Sequence, residues 1–107
     1  MASTFGQTIA EARKHASLSQ KELAARIKKE DGQPISPQYL NDLERDRRGG
    51  PSDFLMRQFA EVLGLDLDLL YHRAGEIPID LRGTQPDDTK VIEAYKAFRR
   101  NLTRNDT

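Results

Sequence analysis

Apolar residues along this chain recur at spacings of three and four, and nowhere does a run of β-branched residues alternate with polar ones. That pattern suits helices and not strands, so the expected fold is all-α. Glycine and proline punctuate it at short intervals, and one core with an appendage is expected.

The start signals are explicit. Thr4 and Gln7 offer a capping pair for a first helix from about Phe5 to Ala16, with Phe5, Ile9, Ala12 and Ala16 on its inner face. Ser19-Gln20-Lys21-Glu22 fits S-x-x-E, in which hydroxyl and carboxylate satisfy two orphan amides reciprocally. This second helix carries Leu23, Ala24 and Ile27 inward, and Lys28 to Glu30 are expected to extend it by a turn before Asp31-Gly32 and Pro34 stop it. Ser36 as N-cap and Pro37 at the first helical position begin a third helix through about Arg45. Gly49-Gly50-Pro51 break the chain before Ser52 opens a fourth, with Leu55, Phe59, Val62 and Leu63 inward and Gly64 at its end. Asp66 starts a fifth, which contributes Leu69 and Leu70 and ends near Arg73.

Residues 74 to 86 hold two glycines and two prolines and read as a linker. Beyond it Val91, Tyr95, Phe98 and Leu102 predict an amphipathic C-terminal helix within residues 87 to 107. Such a helix either folds back on its own domain, the plainer reading, or pairs with a second copy of the chain.

The chain has 107 residues, enough for one domain with an appendage. Its 17 basic and 17 acidic side chains cancel, so no global charge excess advertises a polyanionic partner. The balance is uneven along the chain: residues 1 to 50 carry a small basic excess and residues 51 to 85 an acidic one. With no cysteine, disulfides and thiolate metal sites are excluded, which fits a cytoplasmic setting. Neither a leader pattern nor an apolar run long enough to span a bilayer is present, and no membrane role is expected.

Chemistry of the catalytic kind finds little support. His15 and His72 are the only histidines, at no metal-ligand spacing, and no glycine-rich phosphate loop or nucleophile elbow occurs. Neither an enzyme, a cofactor nor a metal site is expected.

The third helix, in QPISPQYLNDLERDRR, is the informative stretch. On a helical wheel Leu40, Leu43 and Glu44 share one face, while Pro37, Gln38, Asn41, Asp42 and Arg45 share the opposite, polar one. Together, LSQKELAARI, ISPQYLNDLERDRR and PSDFLMRQFAEVLGLDLDLL resemble the XRE family of phage-repressor-like and Cro-like helix-turn-helix transcription regulators, over residues 5 to about 73.

The resemblance implies a five-helix DNA-binding domain over residues 1–73, its second helix crossing the DNA backbone and its third, residues 36–45, in the major groove. It implies that Gln20 touches a phosphate, that Pro37, Gln38, Asn41 and Asp42 face base edges, and that Arg13 pairs with Glu44 inside the fold. Lys21, Ser36 and Tyr39 adjoin these positions and complete the candidate contact set. Gln38 suits adenine, whose N6 and N7 it can engage bidentately. Asp42 is an unusual occupant, since a carboxylate near phosphates is repelled unless cytosine N4 donates to it. Arg45, Arg47 and Arg48 are placed to displace counterions along the backbone, although three arginines at a helix end also complement its dipole.

One departure stands out. Between Ile27 and Ile35 lie seven residues, KKEDGQP, where the family usually has a single glycine or little more. Lys28 and Lys29 are expected to reach phosphates if this turn approaches DNA. The leading expectation is a sequence-specific regulator, a repressor binding double-stranded DNA as a homodimer. The alternative is a protein-interaction module, such as an antitoxin or anti-repressor, that grips a partner protein through the C-terminal helix or through the acidic surface of the fourth and fifth helices.

Overall fold

In the computed structural model, which describes residues 4–104, seven helices account for the regular structure of the described residues. They are α1 (Phe5–His15), α2 (Gln20–Arg26), α3 (Pro37–Glu44), α4 (Asp53–Leu63), α5 (Leu67–Arg73), the single turn α6 (Ile79–Arg82) and α7 (Asp88–Thr103). The fold is all-α, with α2 and α3 joined as a helix-turn-helix.

Local chemistry sets nearly every helix start. The side chains of Thr4, Ser19, Ser36, Ser52, Asp66 and Asp87 each accept from the backbone N–H three residues ahead. At Ser19 both halves of the capping box form, with Glu22 Oε1 taking the Ser19 amide at 2.9 Å. Gly64 closes α4 in the left-handed conformation that an L side chain resists.

The core gathers one face from each of the first five helices: Phe5 and Ile9, Leu23 and Ile27, Leu40 and Leu43, Leu55, Met56 and Phe59, Leu70 and Tyr71. Phe5 and Phe59 meet edge to face at 6.3 Å between centroids. Each such buried side chain contributes about 1.5–3 kcal/mol, which is why α2 and α5, at seven residues each, hold their shape without length of their own.

Several expectations are corrected. Ala16 is exposed, because α1 ends at His15 and Ser17 turns the chain at φ 58°. In α5 Leu69 is exposed and Tyr71 is the second buried residue. The second helix is not extended by Lys28 to Glu30: it stops at Arg26, and Ile27 is extended. Lys28 and Pro34 instead form an antiparallel bridge, Lys29 N–H donates to Gln33 O at 2.8 Å, and Asp31 accepts the Gln33 amide. The backbone groups of the long turn bond one another across a hairpin-like loop, an arrangement that helical periodicity cannot reveal.

Residues 74 to 86, read as linker, contain α6, held by a set of bonds no sequence pattern suggested. Arg82 donates to Ile77 O at 2.7 Å and to Asp53 Oδ1 at 2.6 Å, while the Tyr71 hydroxyl donates to the same Asp53 oxygen at 2.7 Å. Burial first, then the bond to Asp53, pushes the Tyr71 phenol up to about 12. The Tyr71 bond and then Arg82 hold the Asp53 carboxyl below its ordinary value, and the bond to Asp53 raises that of Arg82.

The C-terminal helix touches its own domain without entering the core. No residue of α7 is buried, and Val91, Tyr95, Phe98 and Leu102 are all exposed. His72 and Phe98 touch at 6.0 Å between ring centroids. Beside them an open groove of about 980 Å³ runs between α5, α6 and α7, with Ile77, Leu81, Val91, Tyr95 and Phe98 among its lining.

Candidate nucleic-acid interface

The polar flank of α3 faces outward. Ser36, Pro37 and Gln38 are exposed and Tyr39, Asn41 and Asp42 half-buried, while Leu40 and Leu43 are wholly inside. The long turn borders this face at its start, where Lys29 and Pro34 share a hollow with Ser36 and Tyr39. The helix keeps its orientation because its inner leucines lock into the core and its far end is clamped from two directions.

The first clamp is ionic. Arg13 Nε and Nη2 donate to the two oxygens of Glu44 at 2.7 and 3.0 Å, and Nη1 donates to Leu18 O at 2.9 Å. The forked geometry raises the Arg13 pKa, the bond to Glu44 outweighing the cost of burial. The second clamp is Asp46, just past the helix, which stands at φ 56° and accepts from the Gly6 amide at 2.9 Å and the Thr4 hydroxyl at 2.7 Å. Sequence reasoning missed Asp46. The available signal was an aspartate directly after a helix end, a residue type that tolerates the left-handed region.

Gln20, at the start of α2, points across to α3. Its Nε2 donates to Asn41 Oδ1 at 3.2 Å and to Glu44 Oε1 at 2.9 Å, so both amide hydrogens are used within the protein. Asn41 receives that bond on its oxygen, which leaves its own amide nitrogen to donate elsewhere. Gln20 thereby orients Asn41 and tethers the two helices of the motif.

Asp42 is the hub of the other half of the face. Its Oδ1 accepts from Gln38 Nε2 at 3.1 Å and lies 3.7 Å from Arg47 Nη1, while its Oδ2 lies 3.6 Å from Arg48 Nε. The Asp42 carbonyl also accepts the Arg47 amide at 2.9 Å, and the Arg48 guanidinium sits over the Tyr39 ring at 5.2 Å. Five candidate residues (Gln38, Tyr39, Asp42, Arg47 and Arg48) therefore form one connected patch, with Gln20 and Asn41 beside it. Lys21, Pro37 and Arg45 are exposed, and Ser36 serves the helix start through its hydroxyl. Lys28 is exposed, with its Nζ donating to Ala25 O at 2.8 Å and its amide donating to Gln58 Oε1.

Among the described residues no group of three or more His, Cys, Asp or Glu side chains is arranged to hold a metal ion, and no helix is long and apolar enough to cross a membrane.

A model of the helix-turn-helix family matches residues 9–70, which span α2, α3 and the turn between them. Of solved structures, the chain is similar to SinR, described as the master regulator for biofilm formation, in its crystal structure in complex with DNA. The identity is 28%, over 63% of this chain and 97% of that one, with a TM-score of 0.53. A SinR protein/SinI protein complex shares the fold at 24% identity and a TM-score of 0.53, over 97% of this chain and 84% of that chain. A search of curated proteins finds no match.

Proposed function

The chain belongs to the helix-turn-helix family, and from that premise we propose that it is a sequence-specific regulator of transcription that represses by inserting residues 36–45 into the major groove of double-stranded DNA. In this reading α1 to α5 are a five-helix repressor-like DNA-binding domain over residues 1–73, joined through residues 74–86 to α7. The likeness to SinR, solved on DNA, supports the reading. The observation that carries it is the outward flank of α3, where an exposed Gln38 and a half-buried Asn41 lie beside three arginines.

Each residue has a role. Gln38 reads a base edge, and adenine suits its paired donor and acceptor. Asn41, held by Gln20, presents two N–H donors to a base or a phosphate oxygen. Arg45, Arg47 and Arg48 displace counterions along the backbone, with Lys21 and the hydroxyls of Ser36 and Tyr39 at the margins. Pro37 packs its ring against a thymine methyl. Two copies bind a palindromic site, as two-fold dimers of such domains do, and the exposed apolar face of α7 supplies the pairing surface. That same face supports a second reading, in which the chain grips a different protein as an antitoxin or anti-repressor does.

The test is binding to DNA upstream of the protein's own gene at several salt concentrations. Wild type should bind with a sequence preference, Gln38→Ala should lose the preference, and Arg48→Ala should show a shallower salt dependence. Equal and weak binding of all sequences by all three proteins would favour the protein-partner reading.

A further inference from the structure

Asp42 is the one negative charge in the middle of a face otherwise built to meet a polyanion. Three of the donors offered to DNA, from Gln38, Arg47 and Arg48, already converge on its two oxygens in the free protein. Its side chain is only 18% exposed, whereas those of Arg47 and Arg48 are each 58% exposed. The arginines are thus free to swing outward on flexible stems, and the carboxylate, fixed on the helix, stays behind.

Resting on the DNA-binding reading, we infer that Asp42 is a specificity-determining residue, which holds Arg47 and Arg48 in the free protein and selects duplexes that present an exocyclic amino group, that of cytosine or adenine, in the major groove opposite it. When the arginines leave for phosphates, the carboxylate loses both cations inside a strongly negative field. An ionised carboxylate is acceptor-only. A guanine O6 and N7 or a thymine O4 at that position meets it with further acceptors, while cytosine N4 and adenine N6 offer the donor that restores its balance. The penalty falls on wrong sites rather than the gain on right ones, which is how discrimination is obtained from a residue that weakens general affinity.

The arrangement also sets the alignment of the neighbouring reader. The bond from Gln38 to Asp42 joins residues one helical turn apart and takes one of the two Gln38 amide hydrogens. One N–H and the carbonyl oxygen remain for the base, the pair that a bidentate contact to adenine needs.

The experiment is selection from a random duplex library by the full chain, followed by titration of the winning duplex and an unrelated duplex at fixed salt. Asp42→Ala and Asp42→Asn are run alongside, with folding checked by thermal melting. The wild type should select cytosine or adenine at one position and lose at least about fivefold in affinity when it is replaced by guanine or thymine. Asp42→Ala should abolish that preference while retaining selection elsewhere in the site, and should bind the unrelated duplex severalfold more tightly. Asp42→Asn, which keeps an acceptor and adds a donor, should tolerate all four bases there. Unchanged preference and unchanged affinity for the unrelated duplex in both folded variants would overturn the inference and leave the DNA-binding reading intact. Failure of the wild type to bind any duplex at low salt would overturn both.

Discussion

The backbone amide of Gly6 donates to Asp46 Oδ1 at 2.9 Å, so a residue just beyond α3 caps the beginning of α1 from 40 positions away. The approach is close enough that a β-carbon at Gly6 would lie 2.5 Å from the carbonyl oxygens of both Leu43 and Glu44. Those are backbone atoms at the end of the helix that carries the candidate interface, and they have little room to yield. Gly6→Ala should therefore destabilise the fold by about 1–3 kcal/mol, as overpacking does. Asp46→Ala should cost about 1 kcal/mol through the lost cap. Urea denaturation monitored by circular dichroism measures both.

Glu44 is the common acceptor for Arg13 and Gln20. Truncating it leaves a guanidinium and an amide without their partner in a half-buried site, and Glu44→Ala should cost about 3 kcal/mol. The double change Arg13→Met/Glu44→Leu should cost clearly less than the two single changes combined, because neither charge is then stranded. A double-mutant cycle on the same unfolding curves reads the difference.

Tyr71 and Asp53 give opposite pH dependences. A phenol raised to about 12 is favoured neutral in the folded state, so its stabilisation is complete below the ordinary tyrosine value near ~10 and is lost as pH climbs through about 12. A carboxyl held low by Tyr71 and Arg82 is favoured ionised. Its stabilisation is complete above the ordinary aspartate value near ~3.9 and is lost as pH falls through its lowered one. Of the three tyrosines, one should ionise last in an absorbance titration, and Tyr71→Phe should remove that step. Asp53→Asn should make the loss of stability on acidification shallower.

Arg47 and Arg48 should each reduce the slope of log affinity against log salt by about one when changed to alanine. Tyr39→Ala takes away the ring beneath Arg48 and should weaken binding by less than Arg48→Ala does. Fluorescence anisotropy with one labelled duplex at four salt concentrations separates these outcomes.

Phe98 is half exposed and no residue of α7 is buried. Phe98→Glu should leave the melting temperature of residues 5–73 nearly unchanged, within about 0.5 kcal/mol of stability. If α7 pairs two copies, the same change should convert a dimer to a monomer in sedimentation velocity, and a wild-type monomer would remove α7 from that role.

Local chemistry in the chain was enough to place most helix starts, since a capping oxygen and the amide it serves are three residues apart, and to divide α3 into an apolar and a polar face. The resemblance, not local chemistry, pointed to Arg13 with Glu44, a pair the structure forms. What local chemistry left open was the partner of each polar side chain. Gln20 turns to Asn41 and Glu44, Asp42 gathers Gln38, Arg47 and Arg48, Asp46 reaches back to α1, and Tyr71 with Arg82 secures α6 on Asp53. The turn from Lys28 to Pro34 closed on itself instead of lengthening α2. Periodicity states which way a side chain leaves its own helix; what it then meets depends on the angle and height at which another helix crosses, and those are set by how the whole core packs.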